Sequence, residues 1–110
     1  MAPQRVLPGA ARELGKSRRL PALVELFLPG NPLGDAGAEA LATSSRLSRL
    51  SRLDLSYGGI GDTGAAALAA SAHLAGLSEL VLTGNVIGHP GQKRLRDRYG
   101  DRVRLDRQGT

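Results

Sequence analysis

The sequence predicts an α/β solenoid in which short parallel strands and helices alternate along stacked repeats. The first observation is a period of 27 residues, which aligns Leu23 with Leu50 and Leu77. The second is that four further Leu/Ile positions and two Gly positions recur at the same spacing. A strict period of this kind is typical of solenoids, in which each repeat packs only against its neighbours. The recurring sets are Leu26/Leu53/Leu80, Leu28/Leu55/Leu82, Leu33/Ile60/Ile87, Gly34/Gly61/Gly88, Gly37/Gly64/Gly91 and Leu41/Leu68/Leu95.

The period divides the chain into three full repeats with a half-repeat at each end. Pro and Gly interrupt residues 1–9, which we expect to be a flexible lead, and residues 10–110 form the repeat domain. The helix of an incomplete repeat is predicted at Ala10–Arg19. The full repeats cover residues 20–46, 47–73 and 74–100, and a closing strand lies within 101–106.

Each full repeat is predicted to run from strand to turn to helix. In Val24–Leu28 the alternation places Leu26 and Leu28 on the core face, with Glu25 and Phe27 on the other. The turn Pro29–Pro32 cannot extend the strand.

Acidic residues at equivalent positions are predicted to cap the first two helices. Asp35 precedes a helix beginning near Ala36, where its carboxylate can accept hydrogen bonds from free N–H groups. Asp62 has the same position in the second repeat. In the third repeat we expect His89 as the cap and Pro90 as the first helical residue.

The pattern L-x-x-L-x-L-x-x-N-x-(I/L)-G-D-x-G-x-x-x-L, over about Leu14 to Leu105, resembles the leucine-rich repeat of the ribonuclease-inhibitor-like type. The resemblance implies a right-handed β-α superhelix with its parallel sheet on the concave face. It also implies that Asn31 and Asn85 satisfy backbone groups between adjacent coils, a role that Gly58 cannot perform in the middle repeat. Leu95–Leu105 is similar to the closing segment of bacterial proteins of this type, with Tyr99 folded onto the core.

Composition limits the possible functions. The chain has no cysteine, which excludes disulfides and thiolate metal sites. Three aromatic residues in total cannot form a stacking platform for single-stranded nucleic acid. The N-terminus has no apolar signal segment, so we expect a cytoplasmic protein with no membrane association. We expect no cofactor and no metal site, because His73 and His89 have no partner ligands in the pattern.

Residues on the outward side of the strands form the candidate binding site. Parallel strands turn each repeat position into a column across the sheet, and the resemblance implies protein binding on this concave face. The first column is predicted to continue from Glu25, Arg52 and Glu79 to Arg102. The candidate residues are Glu25, Phe27, Arg52, Asp54, Tyr57, Glu79, Val81, Arg102 and Arg104. The sequence does not identify the protein partner.

Three alternative functions remain open. Residues 1–20 and 91–110 each carry a net charge of +4, so a basic surface could bind nucleic acid or an acidic partner. Asp62-Thr63-Gly64 resembles the active-site string of dimeric aspartic proteases, which would require Asp62 in a helix-free buried loop. The chain could also be the C-terminal fragment of a longer repeat array with no separate function.

Two glycine-rich strings resemble phosphate-binding motifs. Ala10–Ser17 fits a relaxed P-loop pattern, but its residues favour a helix over the required loop. Gly59–Gly64 matches G-x-G-x-x-G between a strand and a helix, yet Gly61 and Gly64 recur in every repeat. The repeat accounts for these residues without a ligand.

The N-terminal edge of the sheet is predicted to be an association site. No strand in register precedes Val24–Leu28, so this edge would leave backbone N–H and C=O groups unpaired. We therefore expect self-association, or docking on a preceding repeat array, through this strand.

Overall fold

The computed structural model describes residues 23–109. The regular elements in this part alternate between short strands and helices, with a 3₁₀ turn after the first and last helices. They are β1 (Glu25–Phe27), α1 (Gly34–Ala42), β2 (Arg52–Asp54), α2 (Asp62–Ala70), β3 (Glu79–Val81), α3 (His89–Tyr99) and β4 (Val103–Arg104). The predicted lead, the Ala10–Arg19 helix and the P-loop-like string lie outside the described residues.

The strands form one parallel sheet in the order β1-β2-β3-β4. Glu25 pairs with Arg52, and Arg52 with Glu79, so the sheet register equals the sequence period of 27 residues. The sequence offset between paired residues of β3 and β4 is shorter than 27 residues, because Val81 pairs with Arg104. The helices form a second row in which α2 packs against both α1 and α3. The predicted α/β solenoid is therefore confirmed.

Aliphatic side chains fill the space between the two rows. Leu41, Leu68 and Leu95 project from the helices and are fully buried, as the period predicts. Leu47 and Leu74, which follow the first two helices, are equally buried and complete the core.

Glycine at the start of a helix lets neighbouring coils approach closely. A Cβ added at Gly64 would lie 2.7 Å from both Asp35 Oδ1 and Ile60 Cγ2. The equivalent Cβ at Gly91 would lie 2.6 Å from Asp62 Oδ1. These distances are shorter than van der Waals contact, so the spacing of the helices depends on the recurring glycine.

Tyr99 closes the C-terminal end of the core. Its side chain is buried, and its hydroxyl donates a 2.6 Å hydrogen bond to the carbonyl of Leu68. The guanidinium groups of Arg98 and Arg102 lie 5.3 and 5.5 Å from the ring centroid. Arg98 also donates to the carbonyls of Ala69 and Ser71. The predicted packing of Tyr99 on the core is confirmed.

Leu68→Ala should lower the free energy of unfolding by about 2–5 kcal/mol, because a buried cavity forms at the centre of both helix interfaces. Leu55→Ala should behave similarly, since Leu55 is also fully buried. Chemical denaturation measures both changes, with Thr63→Ala on the exposed side of α2 as the control. An unchanged midpoint for Leu68→Ala would contradict the register of the repeats.

Tyr99→Phe should destabilise the protein by about 1 kcal/mol through the lost hydrogen bond. It should also alter the alkaline pH dependence. Burial raises the pKa of the Tyr99 phenol, and the positive charges of Arg98 and Arg102 lower it by less. The unfolded chain therefore ionises first, and stability should fall as the pH rises above about 10.

Denaturation at several pH values tests this expectation. Tyr99→Phe should reduce the loss of unfolding free energy above about pH 10. Tyr57→Phe changes an exposed tyrosine and is the matched control. An identical alkaline decline in wild type and Tyr99→Phe would show that other groups cause it.

Candidate functional site: the outward face of the sheet

Each of the three-residue strands β1, β2 and β3 directs its central residue inward and its flanking residues outward. Leu53 and Leu80 are buried against the helices, and Leu26 packs on the same core. The residues on either side form a surface that we call the sheet face. It consists of Glu25 and Phe27 on β1, Arg52 and Asp54 on β2, Glu79 and Val81 on β3, and Arg104 on β4.

A row of alternating charges crosses the sheet face. Arg52 Nη1 lies 3.5 Å from Glu25 Oε2, and Arg52 Nη2 lies 2.9 Å from Glu79 Oε1. Arg104 Nε lies 3.3 Å from Glu79 Oε2. The hydrogen bond from Arg52 to Glu79 raises the pKa of the guanidinium, and the charges of Glu79 and Glu25 raise it further. Because the pairs are exposed, they order the side chains more than they stabilise the fold.

Apolar side chains lie beside this charged row. Phe27 is half-buried, and the Arg52 guanidinium carbon lies 5.8 Å from its ring centroid. Val81 is also half-buried. Between them, Asp54 accepts hydrogen bonds from the N–H and hydroxyl of Ser56, at 2.9 and 2.7 Å. The sheet face therefore combines two separate apolar side chains with charges of both signs.

Arg102 does not continue the charged row, so that prediction is wrong. Its guanidinium donates to the carbonyls of Leu77 and Tyr99, at 2.8 and 3.0 Å. Arg102 belongs to the 3₁₀ turn Gly100–Arg102, which ends before β4 begins. Arg104 takes the place next to Glu79 instead.

Tyr57 lies in the turn after β2, at the edge of the sheet face. Its φ of 54° is in the left-handed region, as are the φ angles of Gly30 and Gly84 at the same turn position and of Arg107 after β4. We call these four residues the turn column. A tyrosine is strained in this conformation by about 1 kcal/mol relative to glycine. The ring is 55% exposed and lies against the backbone of Gly84, where an added side chain would collide with it.

The prediction that Asp35 caps its own helix, α1, is wrong, because Asp35 caps the following helix, α2. Asp35 lies inside the first turn of α1, which has no side-chain cap. Its Oδ1 accepts hydrogen bonds from Gly61 N and Gly64 N, at 2.8 and 2.9 Å, at the start of α2. The helices are so close that the carboxylate reaches the free N–H groups of the neighbour.

Asp62 repeats this arrangement one coil further along. Its Oδ1 accepts a 2.8 Å hydrogen bond from Gly88 N, directly before α3. Gly61, rather than Asp62, is the residue at the N-cap of α2. His89 is likewise not a cap, because Gly88 has that position and His89 is the first residue of α3, followed by Pro90. The offset between each Asp and its partner is close to one period.

Asn85 bridges coils in the opposite direction. Its Oδ1 accepts hydrogen bonds from Gly58 N and Ile60 N, at 2.9 and 3.0 Å. Its Nδ2 donates to the carbonyls of Leu55 and Leu82, both at 3.0 Å. Asn85 therefore satisfies backbone groups in its own coil and in the preceding one, as the resemblance implies.

Gly58 changes the equivalent turn of the first repeat. Without an Asn side chain at this position, Leu33 N donates to the carbonyl of Asn31 in its own turn, at 2.7 Å. Gly34 N donates to the carbonyl of Gly58, at 2.9 Å. Asn31 is itself buried, and its Nδ2 donates to the carbonyl of Pro29.

Part of the chain matches a known protein family. A family model described as a leucine-rich repeat matches residues 21–42 and 49–69, which include β1 with α1 and β2 with most of α2. The fold of the chain is that of a leucine-rich-repeat solenoid. A search of the curated proteins gave no match. Leucine-rich-repeat domains generally mediate protein–protein interactions and are typically not enzymes.

The geometry of this leucine-rich-repeat protein bears on the enzymatic alternatives. α2 begins at Asp62, so the helix-free loop that the protease hypothesis needs is not formed. In the G-x-G-x-x-G string, the N–H groups of Gly61 and Gly64 already bind Asp35 rather than a phosphate. Residues 23–109 include no cluster of His, Asp or Glu suited to a metal ion.

The basic residues of the C-terminal segment are largely engaged within the protein. Lys93 pairs with Asp97, Arg104 pairs with Glu79, and Arg98 and Arg102 donate to carbonyls. A phosphate backbone would have to compete with these partners, which makes nucleic-acid binding here less favourable.

Three further predictions concern location and association. The described part of the chain has no helix long and apolar enough to cross a membrane. The cytoplasmic location stays a prediction. Association through β1 also stays a prediction, because β2 is its neighbour on one side and residues 1–22 lie outside the described part.

Asp35→Ala should lower the free energy of unfolding by about 0.5–2 kcal/mol, because Gly61 and Gly64 lose their acceptor. Asp35→Asn keeps an acceptor oxygen and should retain most of the stability. Denaturation measures both, with Glu39→Ala on the exposed side of α1 as the control.

Hydrogen exchange identifies which helix the carboxylate caps. In Asp35→Ala the amides of Gly61 and Gly64 should exchange faster. Faster exchange confined to the first turn of α1 would instead support a cap within the same helix.

Proposed function

We propose that this protein is a binding module that docks a protein partner on the sheet face. The observation that carries the proposal is the arrangement of Phe27, Arg52 and Val81. These side chains lie outside the core, and the repeat pattern requires none of them. The Arg52 guanidinium lies over the Phe27 ring, and aromatic residues and arginine are common in interface hot spots.

The charged row supports a specific orientation of the partner. Arg52 is held between Glu25 and Glu79, so its guanidinium is already ordered before a partner arrives. Ordering in advance reduces the entropy that binding costs. The fixed sequence of charges selects partners with the complementary pattern, while adding little affinity by itself.

The size of the sheet indicates that the interface extends beyond it. Four strands about 4.8 Å apart, each three residues long or shorter, present an area of roughly 14 by 10 Å. A standard interface buries about 800 Å² on each partner. The partner must therefore also contact the turns that border the sheet face, where Tyr57 is exposed.

Affinity capture from a lysate of the source organism, with mass-spectrometric quantification, tests the proposal. We expect Phe27→Ala and Val81→Ser to reduce the capture of a defined set of proteins about tenfold, an amount typical of a central interface residue. Arg94→Gln, on the exposed surface of α3, is the matched control and should leave capture unchanged.

Circular dichroism and denaturation must show that each variant folds as the wild type does. Equal loss of capture in the control, or no loss in the sheet-face variants, would contradict docking on the sheet face.

A further inference from the structure

The turn column contains two residues that the backbone does not favour. Its φ angles are 73° at Gly30, 54° at Tyr57, 73° at Gly84 and 61° at Arg107. Glycine adopts this conformation readily, whereas a residue with a side chain is strained in it. Tyr57 and Arg107 are the positive-φ residues other than glycine within residues 23–109. A strained residue that the fold does not need suggests a role in function.

The side chain of Tyr57 has no role in the core. More than half of it is exposed, and the ring extends over Gly84 in the next coil. Gly84 is thereby limited to glycine both by its φ angle and by the ring above it. The ring is a flat apolar surface beside the backbone of Gly84, and a tyrosine side chain has few rotatable bonds to fix on binding.

Arg107 is an available cation on the same edge. The adjacent carboxylate of Asp106 accepts a 2.8 Å hydrogen bond from the hydroxyl of Thr83. Arg107 itself is exposed and forms no hydrogen bond or ion pair with any residue between 23 and 109. It differs in this respect from Arg98, Arg102 and Arg104, which are all engaged within the protein.

Backbone hydrogen bonds place Tyr57 and Arg107 in one row. Tyr57 N donates to the carbonyl of Thr83 at 2.9 Å, and Gly84 N donates to the carbonyl of Asp106 at 3.0 Å. Gly84 therefore lies between the two residues, with coils about 4.8 Å apart. The backbones of Tyr57 and Arg107 are about 10 Å apart by this spacing, a distance that two or three residues of an extended peptide cover.

We propose that Tyr57 and Arg107 form a docking point for an acidic, extended segment of the protein partner. A carboxylate of the segment pairs with the Arg107 guanidinium, and an apolar side chain two or three residues away packs on the Tyr57 ring. The charge of Arg107 selects an acidic segment over a basic one. This inference rests on the proposed function and locates the strongest contacts on the turn column beside the sheet face.

Peptide selection provides a probe of defined chemistry. A library of random peptides displayed on phage is selected against the intact protein, and enriched peptides are synthesised with a fluorescent label. We expect enrichment of Asp or Glu two or three residues from an aromatic or aliphatic residue. Fluorescence anisotropy then gives the dissociation constant for each protein variant.

The variants separate binding from stability. Tyr57→Gly and Arg107→Gly should each weaken binding about tenfold or more. Both place glycine where the backbone favours it, so the unfolding midpoint should be unchanged or higher. Asn also tolerates the left-handed conformation, so Tyr57→Asn is the second variant if Tyr57→Gly folds poorly. Neutralising the peptide carboxylate should remove the difference between wild type and Arg107→Gly.

Phe27→Ala distinguishes this inference from the proposed function. If selected peptides bind and only Phe27→Ala weakens them, the sheet face is the binding site and the docking point is wrong. If no peptide is selected, or none responds to either set of variants, the proposed function and the docking point are both contradicted. Enrichment of basic peptides would overturn the assignment of Arg107.

Discussion

Hydrogen bonds between neighbouring coils are the constraint on which this structure depends. Turns and helix starts leave backbone N–H groups without partners in their own coil, and an unpaired buried N–H costs about as much as a lost hydrogen bond. Asp35 and Asp62 supply acceptors to the following coil, whereas Asn85 supplies one to the preceding coil. Every interface between described repeats is therefore fixed by polar contacts as well as by the leucines. The glycines at Gly64 and Gly91 permit the close approach on which these contacts depend.

The fold places few demands on the residue types of the sheet face. Leucines, glycines and the bridging Asp and Asn residues satisfy the core and the coil interfaces, so the sheet face has no structural duty beyond forming strands. Phe27, Arg52 and Val81 can consequently be suited to a partner without disturbing the packing of the core. Tyr57 is different, because its side chain is accommodated at the expense of backbone strain. The surface therefore combines unstrained residues on the sheet face with a strained residue, Tyr57, at its edge.

Much of the fold could be predicted because one period governs both sequence and structure. The spacing of Leu26, Leu53 and Leu80 predicts the sheet register, since parallel stacking converts sequence spacing into lateral alignment. The partner of Asp35 could not be predicted from local pattern, because a cap on its own helix and one on the next helix look alike in sequence. The position of the Arg102 side chain could not be predicted, because β4 begins only at Val103. Arg102 lies in the preceding turn, where its guanidinium binds the carbonyls of Leu77 and Tyr99. Side-chain direction in an irregular turn, as at Tyr57, depends on backbone angles that the period does not specify.

The central coil takes its polar contacts from both of its neighbours. The middle turn brings no bridging side chain of its own, and its N–H groups depend on Asn85, 25 to 27 residues away. The start of α2 depends in turn on Asp35, 26 to 29 residues away on the other side. The central coil therefore has its full set of these hydrogen bonds only when both neighbouring coils are in place. We therefore expect the described coils to unfold cooperatively, because loss of either neighbour removes hydrogen-bond acceptors from the central coil.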